Sequence, residues 1–121
     1  MIAKKDKKLH SYYFGLVSEY LAMLLYIIKL HVILARRFKT KYGEIDFICK
    51  RFKTLVFVEV KARSFDYDEV ICSKSQQKRI TRAAEFFLLK NPKYHDYNLR
   101  FDLVLIRPFV MPKIFHDFTV L

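Results

Sequence analysis

A chain of 121 residues with a net charge of +11 and 17% aromatic side chains is the size of one domain, long enough to bury a majority of its unfolded-chain surface without disulfides. Its two cysteines, Cys49 and Cys72, make neither a disulfide framework nor a thiolate metal cluster, which fits a reducing cytoplasm and argues against a stapled secreted scaffold. The basic excess calls for an anionic partner, either nucleic acid or an anionic membrane surface.

Gly15 and Gly43 are the only glycines, and no linker, repeat or low-complexity run divides the sequence. Residues 1–121 are therefore expected to form a single domain, with 1–10 as a basic, flexible tail. The run "YYFGLVSEYLAMLLYIIKLHVILA", Tyr12 to Ala35, raises a membrane span or signal segment. Glu19 and Lys29 interrupt it, however, and no small-residue cleavage site follows, so integral insertion is not expected. The alternative is a buried helix. At about 100° per residue, Phe14, Val17, Tyr20, Leu21, Leu24, Leu25 and Ile28 share one broad arc, expected to face a sheet. Ser18, Glu19, Ala22, Tyr26 and Lys29 take the remainder, with Glu19 at the margin.

"HVILARRF" then reads as a first strand, rich in β-branched and apolar residues. Gly43 breaks the chain before "EIDFICK", a second strand with Ile45, Phe47 and Cys49 on one side and Glu44, Asp46 and Ile48 on the other. "TLVFVEVKAR" is the third. Only Arg51, Phe52 and Lys53 separate it from the second, which predicts an antiparallel hairpin although no glycine marks the turn. Past the acidic loop "SFDYDEV", "SKSQQKRITRAAEFFLLKN" is a helix with Ser73 and Gln76 as a capping box and Ile80, Ala83, Ala84 and Phe87 as its apolar stripe. "LRFDLVLIR" and "KIFHDFTVL" supply a fourth and a fifth strand. The order α-β-β-β-α-β-β implies an α/β fold with a mixed central sheet flanked by helices.

One strand carries an unexpected pair. "TLVFVEVKAR" is apolar on both faces, as a central strand is, yet Glu59 and Lys61 stand side by side on one of them, where charge is costly unless paired or functional. As a hairpin, the second and third strands could bring Asp46, Glu59 and Lys61 together at one end of the sheet. Two converging carboxylates suffice as the protein's share of a Mg²⁺ site, the rest being water and phosphate oxygens. Such an ion polarises a phosphoryl oxygen and activates water, and Lys61 could orient that water or offset charge on the phosphate. The plainer alternatives are a solvated Glu59–Lys61 ion pair, an Asp46 that caps a strand or pairs with Lys61, and a Glu19 at the helix margin that simply meets Lys29, Arg36 or Arg37.

These residues resemble a known superfamily. "EID" followed by "EVK", with an acid in the preceding helix and the order α-β-β-β-α-β, is similar to the PD-(D/E)XK fold of restriction endonucleases and Holliday-junction resolvases. More closely, "GEIDFI", "LVFVEVKAR", "KRITRAAEFFL" and "RFDLVLI" resemble the YraN-like family of small bacterial proteins. The resemblance implies a restriction-endonuclease-like core and metal-dependent phosphodiester hydrolysis with Mg²⁺, or Mn²⁺ in its place. Asp46 and Glu59 take the positions of the metal-binding acids, Lys61 that of the catalytic lysine, and Glu19 that of the helical acid some members use. Glu44 is an alternative acid. The hairpin turn "KRFK" departs from the Asp-Gly of relatives, and the loop before the second helix lacks the expected Gly and Pro. Both bear on loop geometry and substrate choice.

On the second helix Lys74, Lys78 and Arg82 recur at four-residue spacing, beside Arg79 and with Arg63 at the end of the preceding strand. Such a ridge could contact successive phosphates of DNA; the alternative is a solvated basic face. Asp102 is either structural or a support for the site. His31, His95 and His116 have no metal-ligand spacing and are expected at the surface or in packing. Tyr12, Tyr13, Tyr67 and Tyr97 are candidates for stacking on bases. The resulting expectation is a cytoplasmic DNA endonuclease, with branched DNA favoured by analogy and a homodimer needed for symmetric cutting of two strands. The alternative is a non-catalytic module for nucleic acid or protein on the same fold.

Overall fold

A computed structural model describes residues 4–63 and 73–117. The loop "SFDYDEV", and with it Tyr67, lies outside the described residues. The elements run α1 (Lys4–Ile28), β1 (Val32–Lys39), β2 (Glu44–Arg51), β3 (Thr54–Ala62), α2 (Lys74–Lys90), a 3₁₀ turn (Pro92–Tyr94), β4 (Asn98–Ile106) and β5 (Lys113–Phe115). The strands form one five-stranded sheet in sequential order. β3 and β4 are parallel, and the other neighbours are antiparallel. The α2 crossover explains the exception, because a parallel pair cannot be joined by a tight turn.

The alternation of β3 divides the core in two. Leu55 and Phe57 face α2 and meet its buried stripe of Ile80, Ala83, Ala84 and Phe87. Val56 and Val58 face α1 and pack with Ala22, Met23 and Tyr26. Ser73 caps α2 as expected, its side chain accepting the N–H of Gln76.

α1 departs from the sequence reading in two ways. It already begins at Lys4, so the stretch expected as a flexible tail is helical from that residue. Its buried face is also the opposite one. Ser18, Ala22 and Tyr26 are 0%, 0% and 1% exposed, whereas Val17, Leu24 and Ile28 are 53%, 50% and 67% exposed. Small side chains at Ser18 and Ala22 let the helix approach the sheet closely. The Tyr26 hydroxyl adds a specific tie, donating to buried Asp102 at 2.7 Å. By length and composition Lys7–Ile28 could cross a membrane; here the helix forms one layer of the α/β domain.

β2 also breaks the expected alternation. Ile45 joins the α2-side core, while Phe47 and Cys49 join the α1-side core. The cause lies in the partner strand, where Arg37 has φ 52°, a left-handed conformation that re-aims the neighbouring side chains. Arg36, opposite Phe47, sits 4.6 Å from the Tyr20 ring of α1, whereas Phe38, opposite Ile45, meets Phe87 of α2 at 5.3 Å. The β1–β2 pair therefore turns over at Arg37 and Asp46.

Candidate active site

The β2–β3 ladder ends at the pair Phe47 and Val58. Where the strands part, a backbone N–H of β3 needs a new partner. Asp46 supplies it, its Oδ2 accepting the Val60 N–H at 2.7 Å. The carboxylate thus stands in for a missing rung, and this bond fixes its orientation. Glu59, 9% exposed, lies one residue earlier, with Lys61 Nζ 3.9 Å from its Oε1.

Glu59 is poorly compensated there. Burial, then the charge of Asp46 and a hydrogen bond with it, push the Glu59 carboxyl up to about 9, with Lys61 pulling the other way. A cation placed against both carboxylates would relieve that penalty, whereas one ammonium at 3.9 Å does so incompletely. The chemistry of this donor pair fits a hard divalent ion.

A cavity of about 420 Å³ opens at the parting strands and is lined by Glu19, Glu44, Asp46 and Glu59, with Arg37 and Arg79 among the basic side chains. The structure therefore brings Glu19 of α1, Asp46 of β2 and Glu59 of β3 to one cavity, and Lys61 adjoins it through Glu59. Glu19 is held by Arg37, Nε to Oε1 at 3.4 Å. Among the described residues, no group of three or more His, Cys, Asp or Glu side chains is close enough to hold a metal ion, so the protein's share of a metal site would be the Asp46–Glu59 pair.

The predicted basic residues separate. Lys74, Lys78, Arg79 and Arg82 line a shallow cavity of about 360 Å³ on the exposed side of α2, together with Tyr42. Arg79 borders both cavities, making the basic ridge continuous with the acidic one. Gly43 allows this approach, since a Cβ there would come 3.2 Å from the Arg79 Cβ. Arg63 lines neither cavity; its guanidinium donates to the Ala62 carbonyl at 3.0 Å.

Asp102 lies away from these acids, on the α1 side and fully buried. It accepts from Tyr26, from Arg100 through Nε and Nη2 at 3.0 Å each, and lies 3.1 Å from His116 Nδ1. These contacts match the structural reading, since none of them reaches Asp46, Glu59 or Lys61. Sequence reasoning named Arg37 only as a partner available to Glu19, a pairing the structure bears out, and it missed Tyr42 beside the basic ridge. The signal for Tyr42, its place before Gly43, carries no functional spacing of its own.

A mixed sheet of this order, with one helix on each face and an acid–acid–lysine set where the second and third strands part, defines a restriction-endonuclease-like α/β domain. More narrowly, the chain belongs to the uncharacterised protein family UPF0102, whose model matches residues 18–106, a span that holds Glu19, Asp46, Glu59 and Lys61. It is 42% identical over 104 residues to a UPF0102 protein of Nitrobacter winogradskyi, covering 85% of this chain and 88% of that one. Similarity to the UPF0102 protein of Sinorhizobium medicae is 39% over 113 residues, 93% of each chain. With the protein from Rhodopseudomonas palustris strain BisB5 it is 45% over 100 residues, 82% of this chain and 76% of that one.

Proposed function

We propose that this protein is a metal-dependent phosphodiesterase acting on DNA in the cytoplasm. The observation that carries the reading is the pairing of Asp46, held by the Val60 N–H, with a buried Glu59 that Lys61, 3.9 Å away, partly neutralises. Asp46 and Glu59 would hold Mg²⁺ or Mn²⁺, which supplies polarisation of the phosphoryl oxygen and an activated water. Lys61, beside Glu59, orients the attacking water or offsets charge on the phosphate. Glu19 faces the same cavity from α1 and would support the acid set. The α2 ridge of Lys74, Lys78, Arg79 and Arg82 would grip the backbone, and Arg79 would carry the strand from ridge to acids. A cytoplasmic setting suits Cys49, a buried free thiol held protonated because desolvation pushes it up to about 12.

Two-strand cutting would require a second copy of the chain, and branched DNA is the substrate to try beside linear DNA. The test is cleavage of labelled linear, flapped and four-way DNA with Mg²⁺, Mn²⁺ or EDTA, alongside Asp46→Ala and Lys61→Ala. Metal-dependent cutting lost in both variants, with binding retained, is the expected result. Tight binding with no cutting in any metal would instead assign the domain to binding alone.

A further inference from the structure

A second cavity, of about 380 Å³, lies beside Tyr26 on the α1 side of the sheet and shares no lining residue with the acidic one. Thr54, at the start of β3, borders it, while Glu59 stands five residues further on and faces the opposite side. At about 3.3 Å per residue the two sites are about 16 Å apart along the strand.

The lining of this cavity is cationic. Lys29, Arg51 and Arg100 contribute to it, with His31 and His116, and no carboxylate lines it among the described residues. Asp102 sits beneath, fully buried, spending its oxygens on Tyr26, Arg100 and His116 and so setting the Arg100 guanidinium in place. The Arg100 bonds to Asp102 use Nε and Nη2, which leaves Nη1 as a further donor. The field is felt locally: His31 is held below its ordinary value first by burial, with Arg100 and Arg51 pushing the same way.

At the rim stands Phe52, 81% exposed and with φ 53°. It is the first of the two residues that close the hairpin between Arg51 and Thr54, a position where positive φ favours glycine. A bulky side chain there carries backbone strain, and strained residues of this kind cluster at ligand-binding sites. An exposed ring beside a cluster of cations suits a ligand that presents a flat base and an anion together.

We infer that this cavity binds a nucleoside monophosphate group, with the phosphate among Arg51, Arg100 and Lys29 and the base stacked on Phe52. The group could be a free mononucleotide or the phosphorylated end of a strand. The inference does not rest on hydrolysis at Asp46 and Glu59, because the two sites share no residue.

The test is calorimetric titration of the full chain in EDTA with inorganic phosphate, adenosine, AMP, and one oligonucleotide with and without a 5′-phosphate. AMP is expected to bind about tenfold or more tighter than phosphate or adenosine, the gain of one base–aromatic stack joined to a charged contact. Arg51→Ala should weaken AMP and phosphate alike by about tenfold. Phe52→Gly should bring AMP down to the level of phosphate, leave phosphate unchanged, and raise Tm by releasing the strained turn. Preference for the phosphorylated oligonucleotide over AMP identifies a strand end as the source; the reverse order identifies the free nucleotide. The inference is overturned if AMP binds no better than adenosine, if Phe52→Gly leaves AMP affinity unchanged, or if Glu59→Gln rather than Arg51→Ala abolishes binding. A chain that binds AMP but cuts no DNA would retain this site and lose only the hydrolytic reading.

Discussion

Asp102 and Glu59 are both buried carboxylates on the central sheet, yet their surroundings are opposite. Asp102 is surrounded by donors from Tyr26, Arg100, His116 and the Asp117 N–H. Glu59 has one ammonium at 3.9 Å and a second carboxylate close enough to raise its pKa. Burial alone therefore does not mark a functional acid. What distinguishes the two is whether the chain itself completes the charge: where it does, the acid serves the fold, and where it does not, the acid is the one that the proposed function assigns to a cation.

Removing the satisfied carboxylate should show the largest effect. Asp102→Ala leaves Arg100 and Tyr26 without their partner, and a loss of about 3–5 kcal/mol is expected, read from urea unfolding. A loss under about 1 kcal/mol would mean that Asp102 is not the keystone its contacts describe.

Glu59→Gln should act in the other direction. The folded protein holds the Glu59 proton up to about 9, against 4.5 for the ordinary carboxyl. Between those values the folded state binds more protons than the unfolded one, so stability falls as pH rises through the window and levels off above it. Glu59→Gln is expected to flatten that slope and to add about 1–3 kcal/mol above neutral pH. In the unaltered protein Mg²⁺ affinity should climb over the same window, with release of a proton on binding. An identical pH profile in both proteins would remove the contrast between the two acids.

The finest test is Tyr26→Phe, which withdraws one donor from Asp102 and leaves the Arg100 pairing intact. A loss of about 1 kcal/mol is expected in thermal unfolding, with metal affinity at Glu59 unchanged. A change in metal affinity would show that the two assemblies are coupled across the sheet.

The two helices differ in how far the sequence exposed them. α2 has a polar N-cap, a four-residue apolar stripe and a charged outer face, so local pattern and tertiary packing agree, and Ile80, Ala83, Ala84 and Phe87 are all buried. α1 offers apolar residues nearly all round, and hydrophobicity could not choose its inward face. That choice fell to side-chain size at Ser18 and Ala22 and to the polar tie from Tyr26 to Asp102. The parity of β2 was lost for a related reason, since the turn-over at Arg37 depends on a backbone conformation that no residue type there announces.

The candidate acids were legible because charge in an apolar central strand is conspicuous and because "EID" and "EVK" are short motifs read without any contact. Their convergence with Glu19 was only an expectation until the fold set α1 across the parting strands. The basic pocket was not legible at all: Lys29, Arg51, Arg100 and His116 are scattered along the chain, and each alone looks like a solvated surface residue. Local periodicity and short motifs were enough for the order of elements, the hairpin, the crossover helix and the identity of the paired acids. Which face of α1 is buried, which carboxylate is satisfied and which distant cations share a cavity emerged from packing, because those depend on close approach between elements far apart in sequence.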